Sequence, residues 1–151
     1  MTDENITLRH MREEDISLVL EIERKSFPYP FGEVLIGNIY YGAPELCFII
    51  EEESNIVGFL LCGYTATLKQ AHILSFAIRP DCRGRGFGKK ILDYSLEKMR
   101  ILGYSSIKLE VQVDNENAIS LYEELGFKKV SRIRKYYQDN SDAFQMIMDF
   151  D

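Results

Sequence analysis

A glycine-rich turn, residues 83–88, joins a strand-like segment to a helix-like one with no linker between them. Residues 72–78 predict the strand, and apolar residues at helical spacing between positions 91 and 99 predict the helix. A helix N-terminus carries free N–H groups and a partial positive charge, and glycines let a phosphate approach that backbone closely. The turn therefore predicts a phosphate-binding site between a strand and a helix.

The periodicity of apolar residues predicts six further strands and three further helices around this unit. Strands are expected at residues 6–9, 46–50, 56–61, 107–113, 127–137 and 143–150. Helices are expected at residues 13–27, 33–40 and 115–125. This order predicts an α/β fold with one mixed sheet of about seven strands and about four flanking helices.

Length and composition limit the class of protein. A chain of 151 residues can bury one hydrophobic core, so residues 1–151 are expected to form a single domain. The longest apolar stretch, residues 56–62, is too short to cross a bilayer, and the acidic N-terminus lacks a signal-peptide pattern. We therefore expect a cytoplasmic protein without membrane contact. Three widely spaced cysteines predict buried free thiols, and two isolated histidines predict no metal site.

The charge of the chain is unevenly distributed. Eighteen basic and 24 acidic residues give a net charge of −6. Residues 79–90 contain five basic residues and one acidic residue, a local charge of +4, which leaves −10 for the rest. Binding a nucleic acid requires many clustered cations along a surface. The distribution instead predicts a small anionic ligand at the glycine-rich turn and no nucleic-acid partner.

Two common phosphate-binding motifs do not fit the turn. A Walker A loop needs a glycine where this chain has Arg83, followed by Ser or Thr after its Gly-Lys pair. The glycine spacing also lacks the third glycine of a dinucleotide fingerprint. The pattern present is Arg-x-x-Gly-x-Gly, formed by Arg83, Gly86 and Gly88.

This pattern resembles the acyl-CoA-binding loop of the GCN5-related N-acetyltransferase (GNAT) superfamily. Residues 115–127 then read Asn-x-x-Ala-x-x-Leu-Tyr-x-x-x-Gly-Phe, which resembles a second pattern of that superfamily. The resemblance covers the chain from Ile6 to Phe150 and implies the GNAT fold, a mostly antiparallel twisted sheet, with acetyl-CoA as cofactor. It assigns coenzyme binding to Phe76, Ala77, Ile78, Arg83, Gly84, Arg85, Gly86, Phe87, Gly88, Lys89, Asn115 and Tyr122.

Within the superfamily the chain is most similar to protein N-terminal acetyltransferases of the ribosomal-protein-alanine (RimI-like) type and their archaeal and eukaryotic relatives. Residues 26–31, 109–111 and 135–137 carry this similarity. It implies that protein N-termini, including ribosomal or nascent chains, are the partners, and that Phe27, Pro28, Tyr29, Tyr136 and Tyr137 bind them. Some relatives have an acid where this chain has Tyr29, so the preferred first residue of the substrate stays open.

Two residues are candidates for the chemistry. Glu110 lies on the polar side of an alternating strand, and the resemblance implies that it is the general base, acting through a water. A peptide α-amine has a pKa of about 7.7–8.0, so a modest base suffices. Tyr122 matches a tyrosine that points at the coenzyme sulfur in relatives, which implies a general acid. His72 could relay protons, but a lone histidine is more often structural, so it is placed outside the catalytic set.

Two other functions are compatible with the sequence. A GNAT enzyme acting on a small amine or on lysine side chains would carry the same coenzyme loop. A non-catalytic acyl-CoA-binding module would keep the loop without needing both Glu110 and Tyr122. The chain is expected to be a monomer or a weak oligomer.

Overall fold

The structure is a computed structural model that describes residues 5–150. Within this range the chain forms a seven-stranded sheet and four α-helices, which confirms the predicted fold class. The strands are β1 (Ile6–His10), β2 (Cys47–Glu52), β3 (Asn55–Tyr64), β4 (Gln70–Ile78), β5 (Ser106–Gln112), β6 (Lys128–Ile133) and β7 (Ala143–Asp149). The helices are α1 (Ile16–Ser26), α2 (Glu33–Gly42), α3 (Phe87–Ile101) and α4 (Glu116–Glu124).

The strands lie in the order β1-β2-β3-β4-β5-β7-β6. Five neighbouring pairs in this sheet are antiparallel, and β4 and β5 form the parallel pair. A parallel pair needs a crossover connection, and α3 provides it. The mixed, mostly antiparallel sheet is therefore as expected, with its one parallel contact at the centre.

Helices cover the two faces of the sheet unequally. One apolar cluster joins α1 and α2 to β2 and β3, with Val19 and Ile36 fully buried. A second, larger cluster joins α3 and α4 to the other face, with Ile91 fully buried and Ile119 nearly so. Burial of these apolar stripes is the main stabilising contribution to such a fold.

The alternation in β5 is confirmed by its burial. Ile107, Leu109 and Val111 are buried in the cluster with α3 and α4. Lys108, Glu110 and Gln112 point to the opposite face and are only partly buried. The strand thus directs Glu110 away from the helix-packed core, as its sequence pattern predicted.

The last hairpin differs from the expectation. The strand expected at residues 127–137 ends at Ile133, because a polar turn begins there. Lys135 has a left-handed backbone with φ +52°, and its N–H donates to Asp142 Oδ1 at 3.0 Å. Tyr136 and Tyr137 therefore lie in a turn and not in a strand.

The three cysteines are buried and unpaired, which confirms the free thiols predicted from their spacing. Burial raises the pKa of the Cys47 thiol to about 11. Across residues 5–150, no helix combines the length and the apolar character needed to cross a bilayer.

A buried ion pair fixes the start of α1 to the edge of the sheet. Arg9 of β1 donates to both carboxylate oxygens of Asp15, at 2.7 and 3.0 Å, and also to Glu51 of β2 at 2.9 Å. The N–H of Arg12 donates to Asp15 at 2.7 Å. Burial opposes ionisation of Asp15, but these hydrogen bonds outweigh it and hold its pKa below the ordinary 3.8.

Replacing Asp15 with asparagine is expected to lower the free energy of unfolding by about 2 kcal/mol, because the mostly buried Arg9 would lose the charge of one of its two carboxylate partners and keep only Glu51. In the wild type this contribution is present above pH 3.8 and is lost as the pH falls through the lower pKa of folded Asp15. Urea unfolding measured from about pH 2.5 to about pH 7, a range that includes the ordinary pKa of aspartate, measures both effects. The exposed pair Asp81–Arg79 is the control, and Asp81→Asn should change little.

Candidate active site

The strands β4 and β5 separate after a short parallel contact. Their pairing covers Gln70, Ala71 and His72 of β4 against residues 106–108 of β5. Beyond this contact β4 pairs only with β3 and β5 only with β7. The edge of β4 that faces β5, including Phe76–Ala77–Ile78, therefore has backbone groups available to a ligand. These are three of the residues predicted to bind the coenzyme.

His72 and Glu110 meet where the two strands begin to separate. The Nε2 atom of His72 lies 2.6 Å from Oε1 of Glu110, and the two side chains are 20 % and 9 % exposed. The hydroxyl of Tyr136 donates to the same carboxylate oxygen at 3.3 Å. Gln145 of β7 lies 3.5 Å from the other oxygen. The Glu110 carboxylate is thus held from three sides on the face of the sheet that α3 and α4 leave free.

The surroundings of Glu110 set its protonation. Burial opposes ionisation, but hydrogen bonds from His72 and Gln145 and nearby positive charge outweigh it, so the pKa of Glu110 lies below its ordinary 4.5. Glu110 is therefore a carboxylate throughout the neutral pH range. Burial and the neighbouring Glu110 raise the pKa of Tyr136, which keeps its phenol a hydrogen-bond donor to that carboxylate.

Tyr122 lies on α4, with its ring 5.6 Å from the ring of Phe127. The residue is 8 % exposed, and no described residue hydrogen-bonds its hydroxyl. Burial, and after it the neighbouring Tyr137, raise the pKa of Tyr122 well above the ordinary value for tyrosine. Its phenol is consequently protonated at any physiological pH and can donate a hydrogen bond to an anion.

The glycine-rich turn leads directly into α3. Gly84 and Gly86 have φ values of +79° and +85°, a left-handed backbone that glycine adopts without strain. Lys90 is the first residue of the helix whose N–H bonds back, to Gly86 O at 3.2 Å. The amides of the preceding helical residues, 87–89, have no carbonyl behind them. This arrangement can bind a pyrophosphate at the N-terminus of α3 through main-chain N–H groups.

The cations of the turn bond to other parts of the protein. Arg83 donates to Ile78 O at 3.0 Å and to Ser26 Oγ at 3.1 Å. Arg85 donates to Glu52 at 3.0 Å, and Lys89 donates to Glu124 at 2.9 Å. These contacts hold the turn against β2, α1 and α4. Their place in coenzyme binding stays a prediction.

Two other predicted coenzyme residues have clear structural roles. Asn115 is the N-cap of α4, with Oδ1 accepting from Ala118 N at 3.2 Å. Phe87 is 1 % exposed, so its ring belongs to the core, and the guanidinium of Arg85 in the turn lies 4.7 Å from the centroid of that ring. Gly88 packs closely, since a Cβ there would lie 3.3 Å from Phe76 Cζ.

The predicted peptide-binding residues fall in two loops. Phe27, Pro28 and Tyr29 lie in the α1–α2 loop, residues 27–32, where Tyr29 is 51 % exposed. Tyr136 and Tyr137 lie in the β6–β7 loop, with their rings in an edge-to-face arrangement and the ring centroids 4.9 Å apart. Of these five residues, Tyr136 contacts Glu110 directly.

The sequence interpretation left His72 outside the catalytic set. The contact with Glu110 depends on the parallel register that pairs His72 with Lys108 and on the pleat that puts both polar side chains on one face. The alternation of apolar and polar residues predicts which face of a strand a side chain lies on. It does not predict the register between strands that are far apart in the chain. Parallel pairing of these two strands, had it been predicted, would have indicated that His72 lies near Glu110.

Comparison with known proteins agrees with this geometry. The sequence profile of the acetyltransferase (GNAT) family matches residues 16–127. The N-alpha-acetyltransferase 30 of Schizosaccharomyces pombe is 30 % identical over 133 residues, covering 86 % of this chain and 89 % of that protein. The [ribosomal protein bS18]-alanine N-acetyltransferase of Salmonella typhimurium is 28 % identical, covering 89 % and 90 %. A crystal structure of the NatC complex bound to Gag peptide and CoA superposes with a TM-score of 0.90 at 23 % identity, covering 97 % and 99 %.

The fold and the strand-to-helix turn thus define an acyltransferase of the coenzyme-A-dependent kind. The chain belongs to the acetyltransferase (GNAT) family, because the family profile covers most of its length. The resemblance drawn from the turn and from residues 115–127 is confirmed.

Proposed function

We propose that this protein is an N-terminal acetyltransferase, which moves an acetyl group from acetyl-CoA to the α-amino group of proteins or peptides. The observation that carries the proposal is the His72–Glu110 pair, because it stands at the separation of β4 and β5, on the face that α3 and α4 leave free. The kinship with N-alpha-acetyltransferases over most of the chain supports the choice of an α-amine.

In the proposed reaction the amine nitrogen attacks the thioester carbon directly. A C–N bond forms, the C–S bond breaks, and its electron pair leaves on sulfur. The proton lost by the amine passes, through a water, to the Glu110–His72 pair. The His72 imidazole is placed to share this proton, because its Nε2 atom lies 2.6 Å from Glu110 Oε1. Holding the amine and the thioester next to each other in the correct orientation supplies much of the rate acceleration.

Two further groups stabilise charge that develops during the reaction. A main-chain N–H of β4 within Phe76–Ala77–Ile78 donates to the oxyanion of the tetrahedral intermediate. Tyr122 donates to the departing thiolate. Since burial raises the pKa of Tyr122 far above the about 8.5 of an alkyl thiol, it acts as a hydrogen-bond donor and keeps its proton.

The proposed substrates are the N-termini of ribosomal or nascent proteins in the cytoplasm. The aromatic α1–α2 loop and the Tyr136–Tyr137 pair are proposed to hold the peptide on either side of Glu110.

Incubating the protein with acetyl-CoA and a panel of peptides that differ in their first residue tests the proposal. Mass spectrometry is expected to find acetylation at the α-amine, with release of free thiol in equal amount. Acetylation of lysine-containing peptides with blocked N-termini, or of polyamines in preference to peptides, would favour the lysine or small-amine alternative. Coenzyme binding without thiol release on any amine would favour a non-catalytic module.

A further inference from the structure

A buried glutamate on α1 takes no part in the reaction described above. Glu23 is 2 % exposed, on the face of α1 that also buries Val19 and Ile22. Its Oε1 atom accepts from the hydroxyl of Ser75 at 2.5 Å, and its Oε2 atom accepts from the N–H of Phe31 at 2.9 Å. Both carboxylate oxygens are therefore used, one toward β4 and one toward the α1–α2 loop.

This placement is costly in free energy. Among the residues the structure describes, no Lys, Arg or His pairs with Glu23, and its partners are a hydroxyl and an amide. Burying a carboxylate without a cation is unfavourable unless its hydrogen bonds are complete. An apolar residue would fill the same helix position at lower cost. The carboxylate therefore points to a task in holding its two partners.

The two partners belong to two different elements of the candidate active site, β4 and the α1–α2 loop. Phe31 lies in the same α1–α2 loop as Phe27 and Tyr29, the residues proposed to bind the peptide. Ser75 lies on β4 between His72 and Ala77, opposite Leu61 of β3, directly after the point where the β3–β4 register shifts. Glu23 is thus a short bridge from the strand that faces the coenzyme to the loop that faces the peptide.

A second contact from the same helical turn extends the bridge to the glycine-rich turn. Ser26 lies three residues after Glu23 and accepts from Arg83 at 3.1 Å, while Arg83 also donates to Ile78 at the end of β4. The last turn of α1 is thereby fixed both to β4 and to the glycine-rich turn. The α1–α2 loop starts at this end of the helix, so the contacts to β4 and to the glycine-rich turn also fix where the loop begins.

We propose that Glu23 is a positioning residue, which fixes the α1–α2 loop at the distance from β4 that lets a peptide N-terminus reach the thioester. The inference rests on the proposed function, since it assigns the loop to the peptide. Glu23 touches neither reactant in this proposal. Its loss is expected to weaken peptide binding while the coenzyme site and the Glu110–His72 pair stay intact.

Three variants test the inference: Glu23→Ala, Glu23→Gln and Ser75→Ala. Each is measured by steady-state kinetics with a peptide that the wild type acetylates, and by calorimetry of acetyl-CoA binding. Glu23→Ala should raise KM for the peptide about tenfold or more, because two buried hydrogen bonds are lost. Its kcat and acetyl-CoA affinity should change little. Glu23→Gln should restore most of the peptide KM, because an amide can accept from Phe31 and donate to Ser75. Ser75→Ala should give a smaller rise.

Glu21→Ala is the matched control, because Glu21 lies on the same helix but is 55 % exposed and forms its ion pair with Lys25 on the helix surface. It should leave the peptide KM unchanged. Hydrogen exchange of the Phe31 amide, measured without any substrate, should be faster in Glu23→Ala than in the wild type or in Glu21→Ala. This readout remains usable even if Glu23→Ala is too unstable for kinetics, since Ser75→Ala and Glu23→Gln can be compared in the same way.

The outcomes separate this inference from the proposed function. A wild type that acetylates no peptide overturns the proposed function and, with it, the role of Glu23. An active wild type whose Glu23→Ala variant keeps its peptide KM overturns the inference alone. Equal losses of peptide and acetyl-CoA binding, or no rescue by Glu23→Gln, would show a general structural role and overturn it as well.

Discussion

Replacing Glu110 with glutamine is expected to lower kcat for peptide acetylation by about 10²- to 10⁴-fold, the usual contribution of a positioned general base. The substitution keeps the size of the side chain but removes its negative charge and its ability to take up a proton. Acetyl-CoA affinity should change little, because the coenzyme is proposed to bind at the glycine-rich turn and along β4. Stopped or continuous assays of thiol release, with calorimetry of coenzyme binding, measure the two quantities separately.

The pH dependence distinguishes a base from a structural residue. A peptide α-amine has a pKa of about 7.7–8.0, so below that range most of it is protonated and needs a base before it can attack. Glu110 is ionised in the whole neutral range because its pKa lies below 4.5. The deficit of Glu110→Gln should therefore be largest near pH 6.5 and shrink above about pH 8.5, where the free amine is already neutral.

Glu97→Gln provides the control for Glu110→Gln. Glu97 lies on α3, is 55 % exposed and pairs with Arg100 on the same helix, so the same chemical change there should leave kcat unaltered. If Glu110→Gln keeps its full rate at neutral pH, Glu110 is removed from the mechanism. A deficit that is constant with pH would make Glu110 a residue that only orients His72 and Tyr136.

The position of Glu110 could be predicted because it depends on a local rule. Side chains alternate along a strand, and the apolar residues of β5 have to face α3 and α4. Its partners could not be predicted in the same way. His72 and Tyr136 reach Glu110 only through the parallel register of β4 and through the turn that ends β6, and both depend on contacts between distant parts of the chain.

The glycine-rich turn shows the same division. Glycines at positions of positive φ, and a helix directly after them, follow from local sequence, and the structure has both. The partners of its cations do not follow from local sequence. Arg85 bonds to Glu52 and Lys89 to Glu124, residues 33 and 35 positions away along the chain. The cluster of positive charge that the sequence predicts is therefore largely paired in the folded protein.

The burial of Glu23 was not predicted from the sequence, for a different reason. A glutamate in a helix is expected on the solvent side, but Glu23, unlike Glu21, falls on the apolar stripe of α1, seven residues after Ile16. The packing of α1 against β4 shows that Glu23 is buried there beside Ser75, while Glu21 is exposed. A buried polar residue of this kind is a departure from the local pattern, and such departures are concentrated at functional sites.

Replacing Tyr122 with phenylalanine is expected to lower kcat by about 10- to 100-fold, because a hydrogen bond to a charged group is worth about 1.5–3 kcal/mol. The bond forms only as the thiolate develops, so it contributes to the transition state and not to binding of acetyl-CoA. Thermal stability should be nearly unchanged, since no described residue hydrogen-bonds the Tyr122 hydroxyl in the protein and the ring contact with Phe127 is kept.

The raised pKa of Tyr122 gives this prediction a distinguishing measurement. A proton donor would impose a fall in rate where it ionises, but the pKa of Tyr122 lies far above the ordinary tyrosine value, so the wild-type rate should show no such fall up to about pH 10. Thioesters with more acidic leaving thiols need less stabilisation of the departing sulfur. The deficit of Tyr122→Phe should accordingly shrink with an activated acetyl thioester of coenzyme-like shape. A Tyr122→Phe enzyme with the wild-type rate on acetyl-CoA would exclude the hydroxyl from the reaction and leave the ring as a packing group for Phe127.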